Sequence, residues 1–234
     1  MNAFERGTVL AVTGLAIEAR IAGGPGVRCV TGRDGLRGLV SVLSDRANGV
    51  CAMMSFGIAG GLDERLPPGT VVAARSVITQ QGSWKTDADW TAALLRQVPA
   101  ALHADIAATD LPVDDPSVKQ QLGRDTAAVA VDTESHVAAR AAAEYDLPFA
   151  VFRVISDPAR RALPRAALVA LRGDGRVDLT AVLRAIGRAP AELPLLLRSA
   201  ADARIALRAL ARGREALGPP LAYPDLSQLL LDVL

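Results

Sequence analysis

Short apolar runs and helical stretches alternate along the first two thirds of the chain. Residues 8–13 (TVLAVT) run without a charge, are ended by Gly14, and lead into a helical stretch through Arg20. Such a run is what a strand covered on both faces presents. Val27–Thr31 is a second candidate strand, followed by a helix over about 34–47. Val50–Ser55 is a third, and it breaks into a glycine-rich turn, FGIAGGL, at 56–62. Val71–Thr79 reads as extended, with Arg75 and Ser76 suggesting a bend or bulge. A helix over 87–98 follows, with Thr86 or Asp87 as its cap. Then come a weak strand Ala104–Thr109, a short helix 115–123 that tolerates Pro116 in its first turn, a strand Ala127–Val131, a helix Thr133–Tyr145 and a strand Phe149–Ile155.

Strands alternating with helices across short connections predict a layered α/β domain with a mostly parallel sheet. After Asp157 the character changes. Residues 158–165 (PARRALPR) read as a proline-bounded loop, and from Ala166 the chain is helical and rich in Ala, Leu and Arg, with GDGR at 173–176 and breaks at Pro190 and Pro194. No repeat is evident. The organisation expected is one domain over 1–234, with an α/β core at 1–160 and a helical extension at 161–234.

Composition narrows the class. Half of the 234 residues are apolar and 22% are charged, too greasy for a disordered chain. Lys and Arg number 26 against 25 Asp and Glu, so no basic field exists to hold a phosphodiester backbone. Eight aromatic residues leave few platforms for stacking single strands. Nucleic acid is therefore not an expected partner. Cys29 and Cys51 read as small buried hydrophobes in a reducing cytosol rather than a disulfide. No uninterrupted apolar stretch approaches the ~18 residues of a membrane span, and the N-terminus reads as a first strand rather than a secretion signal. A cytoplasmic protein is expected.

Three acids at predicted strand ends carry the chemical interest. Glu18 lies one turn after strand 8–13, Glu134 follows strand 127–131 in VAVDTES, and Asp157 ends FAVFRVIS. The carboxyl ends of parallel strands share one rim, where ligands bind, so the three acids and the glycines at 57–61 would meet in one pocket. Each has a plainer reading. Glu18 suits an exposed helix face, Asp132 and Glu134 the start of the following helix, and Asp157 a turn. The glycine segment is neither a phosphate-cradling loop followed by Gly-Lys-Ser/Thr nor a GxGxxG fingerprint. It lets a ligand approach the backbone, or makes a tight connection. No acid or histidine grouping has metal-ligand spacing, and no GxSxG elbow is present. His103, His136, Trp84 and Trp90 are given no catalytic role.

In combination, SFGIAGGL…LPPGTVV, AVDTES and LPFAVFRVISD resemble the nucleoside phosphorylase/nucleosidase superfamily, over residues 8–160. The segment RALPRAALVALRGDGRVDLTAVLRAIGRAPAELPLLLRSA further resembles the hopanoid-associated phosphorylases, to about residue 215. The resemblance implies a three-layer αβα fold with a mixed, mostly parallel central sheet and a helical C-terminal extension. It implies cleavage of the N-glycosidic bond of an adenine nucleoside with a hydrophobic 5′ substituent, adenosylhopane in hopanoid biosynthesis.

On that resemblance Asp157 takes the place of the general acid that protonates adenine N7, and Ser156 orients it. Glu134 falls where the family binds the ribose 2′- and 3′-hydroxyls, and Glu18 where related nucleosidases activate water. Ala59, Gly60 and Gly61 match the backbone lining the ribose, and Thr133, Val113 and Arg153 join the substrate-binding set. Chemically this suits a reaction that builds oxocarbenium character on the ribose and negative charge on the base. Asp157 would then need to hold its proton near neutral pH in a partly desolvated pocket.

The departures are specific. Thr133 replaces the usual methionine before the ribose glutamate, and Pro112 stands where relatives place an aromatic residue against adenine. Ile58 and Glu18 occupy the positions of a phosphate-binding serine and arginine, which favours water over phosphate as nucleophile. Phosphorolysis of the same substrate, hydrolysis of methylthioadenosine-type nucleosides and a non-enzymatic nucleoside-binding scaffold remain the alternatives. No cofactor or metal is expected, with phosphate the conceivable co-substrate, and a homo-oligomer (dimer or higher) is expected.

Residues 181–214 hold seven arginines against Glu192 and Asp202, interleaved with Leu and Ala at helical intervals. Such helices either pack an apolar face on the sheet and leave arginines in water or lie on an anionic membrane surface. With the tail 226–234 (LSQLLLDVL) they are candidates for a greasy rim beside the ribose 5′ end, and for peripheral contact with the inner membrane face.

Overall fold

A computed structural model describes residues 7–45, 49–164, 166–167 and 172–224. Eight strands are described: β1 (Thr8–Thr13), β2 (Val27–Thr31), β3 (Val50–Gly61), β4 (Val71–Thr79), β5 (Gly82–Lys85), β6 (Leu102–Ala108), β7 (Ala130–Asp132) and β8 (Phe149–Asp157). The helices are α1 (Ala16–Ala22), α2 (Gly32–Arg37), α3 (Leu39–Ser44), α4 (Ala88–Gln97), α5 (Pro116–Thr126), α6 (Ser135–Glu144), α7 (Leu179–Arg188) and α8 (Leu193–Leu217).

The expected mixed, mostly parallel sheet is present, in two parallel groups. β2, β1, β3 and β8 run one way. β4, β6 and β7 run the other way, and the groups meet antiparallel at β3–β7 and β4–β8. The pairings β3–β7–β6–β4–β8–β3 therefore close part of the sheet on itself. β5 hangs antiparallel on β4.

Both faces are covered, which is why the strands read as unbroken apolar runs. One face buries Leu10, Val12, Met53, Val151 and Ile155 with Ala138, Ala139 and Ala142 of α6. The other buries Val9, Ala11, Met54, Phe56, Phe152 and Val154 under Ala206, Ala209 and Leu210 of α8. Phe56 and Phe152 stack there with centroids 5.8 Å apart. A Cβ on Gly213 would stand 2.7 Å from the Phe152 ring, so α8 approaches β8 as closely as a bare backbone allows. Trp90 is fully buried, donates to the Leu221 carbonyl at 2.9 Å and meets Tyr223 edge-on. Arg204, Arg208 and Arg212 stay exposed. The C-terminal half of α8 thus packs an apolar face and leaves its arginines in water. Trp84 sits on β5, half-buried against the core, and Cys29 and Cys51 are half-buried thiols.

Several boundaries differ from the sequence reading. The single helix expected over 34–47 is two, divided at Gly38, which ends α2 and starts α3; residues 46–48 lie outside the description. The expected glycine turn at 56–62 is strand. β3 continues through Gly61 because Met53–Ala59 pair in parallel with Phe149–Ile155, and a bulge then sets Gly60 opposite Asp157. β5 was not foreseen. The strand expected from Ala104 starts two residues earlier, so His103 is an exposed residue of β6. β7 starts three residues late because Ala127, at φ 55, closes α5 in the left-handed region. The bulge in β4 falls between Ala74 and Val77, at the Arg75–Ser76 pair.

Candidate active site

Glu18 lies in the first turn of α1, where a carboxylate can satisfy amides that the helix leaves open. Its Oε2 accepts from the Gly14 and Leu15 amides at 2.9 and 2.8 Å, and Oε1 from the Ile58 amide at 2.8 Å. The side chain therefore ties the β1 exit to β3. It is buried, contrary to the exposed-helix reading. Burial pushes its pKa up to about 7, with the Glu134 charge adding and Arg153 and the amides opposing. A carboxyl poised there suits a general base at neutral pH.

Gly57 makes this approach feasible: a Cβ on it would lie 2.6 Å from the Glu18 carboxyl carbon and 2.8 Å from Arg153 Nη1. Arg153 is wholly buried on β8. Its Nη2 lies 2.7 Å from Asp132 Oδ2 and 3.2 Å from Glu134 Oε2 and donates to Ser55 Oγ at 2.6 Å, while Nη1 donates to the Ile58 carbonyl at 3.1 Å. Burial alone would weaken its hold on a proton, but Asp132, Glu134 and Glu18 outweigh that and raise its pKa. Asp132, buried under the same guanidinium, is pushed up by desolvation with Arg153 opposing, and it also accepts from the Ser135 amide at 3.2 Å. Its plainer reading, support for the start of α6, therefore holds.

Glu134 stands at the N-cap of α6 without capping it. One oxygen accepts from Thr133 Oγ1 at 2.5 Å and the other meets Arg153. It reaches the site by a route the common-rim argument missed. β7 runs antiparallel to β3 and pairs only with its last two residues, so the chain leaving β7 turns back toward Gly14. A Cβ on Gly14 would lie 2.8 Å from Glu134 Oε1.

Asp157 ends β8. Ser156 Oγ lies 2.8 Å from its Oδ1 and 3.1 Å from the Ala59 carbonyl. A Cβ on Gly60 would be 3.2 Å from Oδ2. The sequence reading missed its other partner: Lys119 of α5 is fully buried and its Nζ donates to Asp157 Oδ2 and, at 3.2 Å, to the Arg161 carbonyl.

These groups face one cavity of about 590 Å³. Glu18, Ile58, Ala59, Gly60, Asp132, Thr133, Glu134, Ser156 and Asp157 line its inner part, with Pro112 and Val113 at one side. Gly61 and Arg153 are not on its wall. Gly61 packs against the Asp157–Ala159 backbone, and Arg153 acts from behind, holding the acids. The outer part is apolar: Leu163, Val177, Val182, Leu196 and Ala203 belong to the segment after the core. The tail 226–234 lies outside the described residues. Among the described lining residues none is Arg, Lys or His, and none is aromatic. His136 bonds Asp110 through Nε2 at 3.1 Å and takes no part. Among the described residues no group of three or more His, Cys, Asp or Glu could hold a metal.

Solved structures share the fold. A Helicobacter pylori 5′-methylthioadenosine/S-adenosyl homocysteine nucleosidase, in complex with a substituted pyrrolidin-3-ol, superposes with a TM-score of 0.60 at 14% identity, covering 90% of this chain and 98% of that one. The futalosine hydrolase of the same organism gives 0.57 at 15% identity, with 88% and 98% covered. A Neisseria meningitidis 5′-methylthioadenosine/S-adenosylhomocysteine nucleosidase with methylthio-immucillin-A bound gives 0.58 at 17%, again covering 88% and 98%. A search of curated proteins finds no match. The Phosphorylase superfamily pattern matches residues 37–186, and the chain belongs to that superfamily of enzymes.

Proposed function

We propose that this enzyme is a nucleosidase that releases adenine from a nucleoside carrying a bulky apolar 5′ substituent, with water as nucleophile and adenosylhopane as substrate. One observation carries the reading: a single cavity joins four carboxylates, those of Glu18, Asp132, Glu134 and Asp157, at its inner end to an apolar wall at its outer end. Asp157, steadied by Ser156, delivers a proton to N7 as the base leaves. Glu134 accepts hydrogen bonds from the ribose hydroxyls, which strengthen as the sugar becomes cationic. Glu18, near its titration point at neutral pH, takes a proton from the water that attacks C1′.

Water is favoured over phosphate because the described wall carries no basic side chain and has the Glu18 carboxyl and the apolar Ile58 side by side on it. A phosphate dianion would meet carboxylates there. The 5′ substituent lies along Leu163, Val182 and Leu196, and its apolar burial supplies binding energy. Structural neighbours that are nucleosidases support the reaction class, and the C-terminal sequence resemblance supports the hopanoid.

Helix α7 has no buried residue, and Leu179 and Leu183 are 70% and 68% exposed on its apolar side, with Arg184 and Arg188 on the other. This helix would rest on the lipid surface from which so greasy a substrate comes. Among the described residues no helix is long and apolar enough to cross a membrane.

The testing experiment is adenine release from adenosylhopane in detergent, and from 5′-methylthioadenosine, each with and without phosphate. Phosphate-independent release, faster with the larger substrate, is expected. Strict phosphate dependence would make the enzyme a phosphorylase, a preference for 5′-methylthioadenosine would reject the apolar substituent, and no release from either would reject the activity.

A further inference from the structure

Lys119 is one of only two lysines in a chain with 24 arginines. It is fully buried in α5, beside the acid that must protonate the leaving base. Burying an ammonium is expensive, and removing one partner of such a pair is more so. Surface charge does not explain it, because the chain uses arginine for that almost everywhere. The two cations differ in one chemical respect that matters here: an ammonium can give up its proton to a carboxylate, whereas a guanidinium keeps its proton at any working pH.

Asp157 Oδ2 is held by Lys119, and Oδ1 by Ser156. The contact between Nζ and the carboxylate is direct. The Arg161 carbonyl, 3.2 Å from Nζ, accepts a second hydrogen bond and helps hold the ammonium beside Oδ2. A lysine–aspartate pair is neutral overall and holds one transferable proton. Lys119 does not line the cavity, so it can act only through Asp157.

We propose that Lys119 is the proton reservoir of the site, a positioning residue that supplies Asp157 with the proton it passes to the purine. The proposal rests on the nucleosidase reading given above. The step balances. The C1′–N9 bond breaks and its electron pair enters the purine ring. An N–H bond forms at N7 with the single proton of the pair, which passes from Nζ to the Asp157 carboxylate and on to the purine, leaving Asp157 as a carboxylate and Lys119 as a neutral amine. The proton that Glu18 removes from water restores the total once product leaves. The pair therefore stays competent over the whole range in which it carries one proton, whereas a lone carboxyl donates only while protonated.

The experiment measures adenine release by wild type, Lys119→Met and Lys119→Arg between pH 5 and 9, after thermal melting confirms that each variant is folded. Glu18 ionises alike in all three, so the ratio of variant to wild-type kcat isolates the lysine. For Lys119→Met the ratio is expected to fall with rising pH, by about tenfold per pH unit once the unassisted carboxyl titrates, as a single required proton demands. Lys119→Arg keeps the ion pair and the fold but not the transferable proton, and is expected to lose ~30-fold or more at pH 8. A merely structural lysine predicts the opposite: arginine at wild-type rate, or a methionine deficit equal at every pH. Either result overturns the proposal. If Lys119→Met does not fold, the arginine variant decides alone. A wild-type enzyme that releases no adenine overturns the nucleosidase reading and this inference with it, while an active wild type with unaltered variants overturns the lysine's role alone.

Discussion

Glu18 and Ile58 are forty positions apart in sequence, yet the Ile58 amide donates to Glu18 Oε1 at 2.8 Å. That bond brings the exit of β1 and the inner wall of β3 together around one carboxylate. Three backbone amides hold Glu18 in place while burial keeps its proton affinity high. The two effects oppose each other, and burial wins.

The first prediction is a pH dependence. A group whose pKa is raised to about 7 is ionised only above that pH, and a general base works when ionised. The kcat/KM of adenine release should therefore rise with pH and level off above about 7, and Glu18→Gln should lower it ~100-fold or more and abolish the limb. A profile flat from pH 5 to 9 would remove Glu18 from the chemistry.

Asp157→Asn should remove most turnover, again by ~100-fold or more, since the amide has no acidic proton to give N7. The loss should shrink for a nucleoside analogue whose leaving group needs no protonation. Comparing the two substrates in the one variant checks this. Equal losses on both would mean that Asp157 only orients the base.

Glu134→Gln should act on ribose recognition. The ribose hydroxyls would lose a charge-assisted acceptor, worth roughly 1.5–3 kcal/mol, so kcat/KM should drop about 10- to 100-fold for the ribonucleoside. The 2′,3′-dideoxy analogue should be nearly indifferent to the change. Matching losses on both sugars would place Glu134 elsewhere in the mechanism.

Two glycine substitutions should separate site from scaffold. Gly57→Ala drives a methyl into the Glu18 carboxyl and Arg153, so activity should collapse. Gly213→Ala meets the Phe152 ring and should cost about 1–3 kcal/mol as overpacking, read by thermal melting, with kcat close to wild type. A fully active Gly57→Ala enzyme would mean that Glu18 can move without consequence.

For the exposed helix, Leu179→Ser with Leu183→Ser should reduce co-sedimentation of the full chain with anionic liposomes while leaving turnover of a small detergent-free nucleoside unchanged. Equal, negligible pelleting of wild type and double variant would end the membrane contact.

The sequence made the strands legible because a sheet covered on both faces leaves unbroken apolar runs, as in TVLAVT and FAVFRVIS. It was less clear where backbone pairing overrides composition: FGIAGGL reads as a turn but is strand, since its glycines make room for Glu18, Arg153 and Asp157. The acids at 18, 134 and 157 stood out by their places after strands. Lys119 did not, because the α5 pattern points the wrong way. Val118, the apolar neighbour a periodicity argument would turn inward, is 51% exposed, and the lysine beside it is buried. The near-absence of lysine from an arginine-rich chain was the one available signal.

The central claim, that the acids around this one cavity break a glycosidic bond with water, is met most directly by following adenine release from adenosylhopane in phosphate-free buffer with wild type, Glu18→Gln and Asp157→Asn side by side. The account predicts one equivalent of adenine and one free anomeric centre per turnover for wild type, with both variants ~100-fold slower or worse. Adenine that appears only when phosphate is added, or variants as fast as wild type, would contradict it.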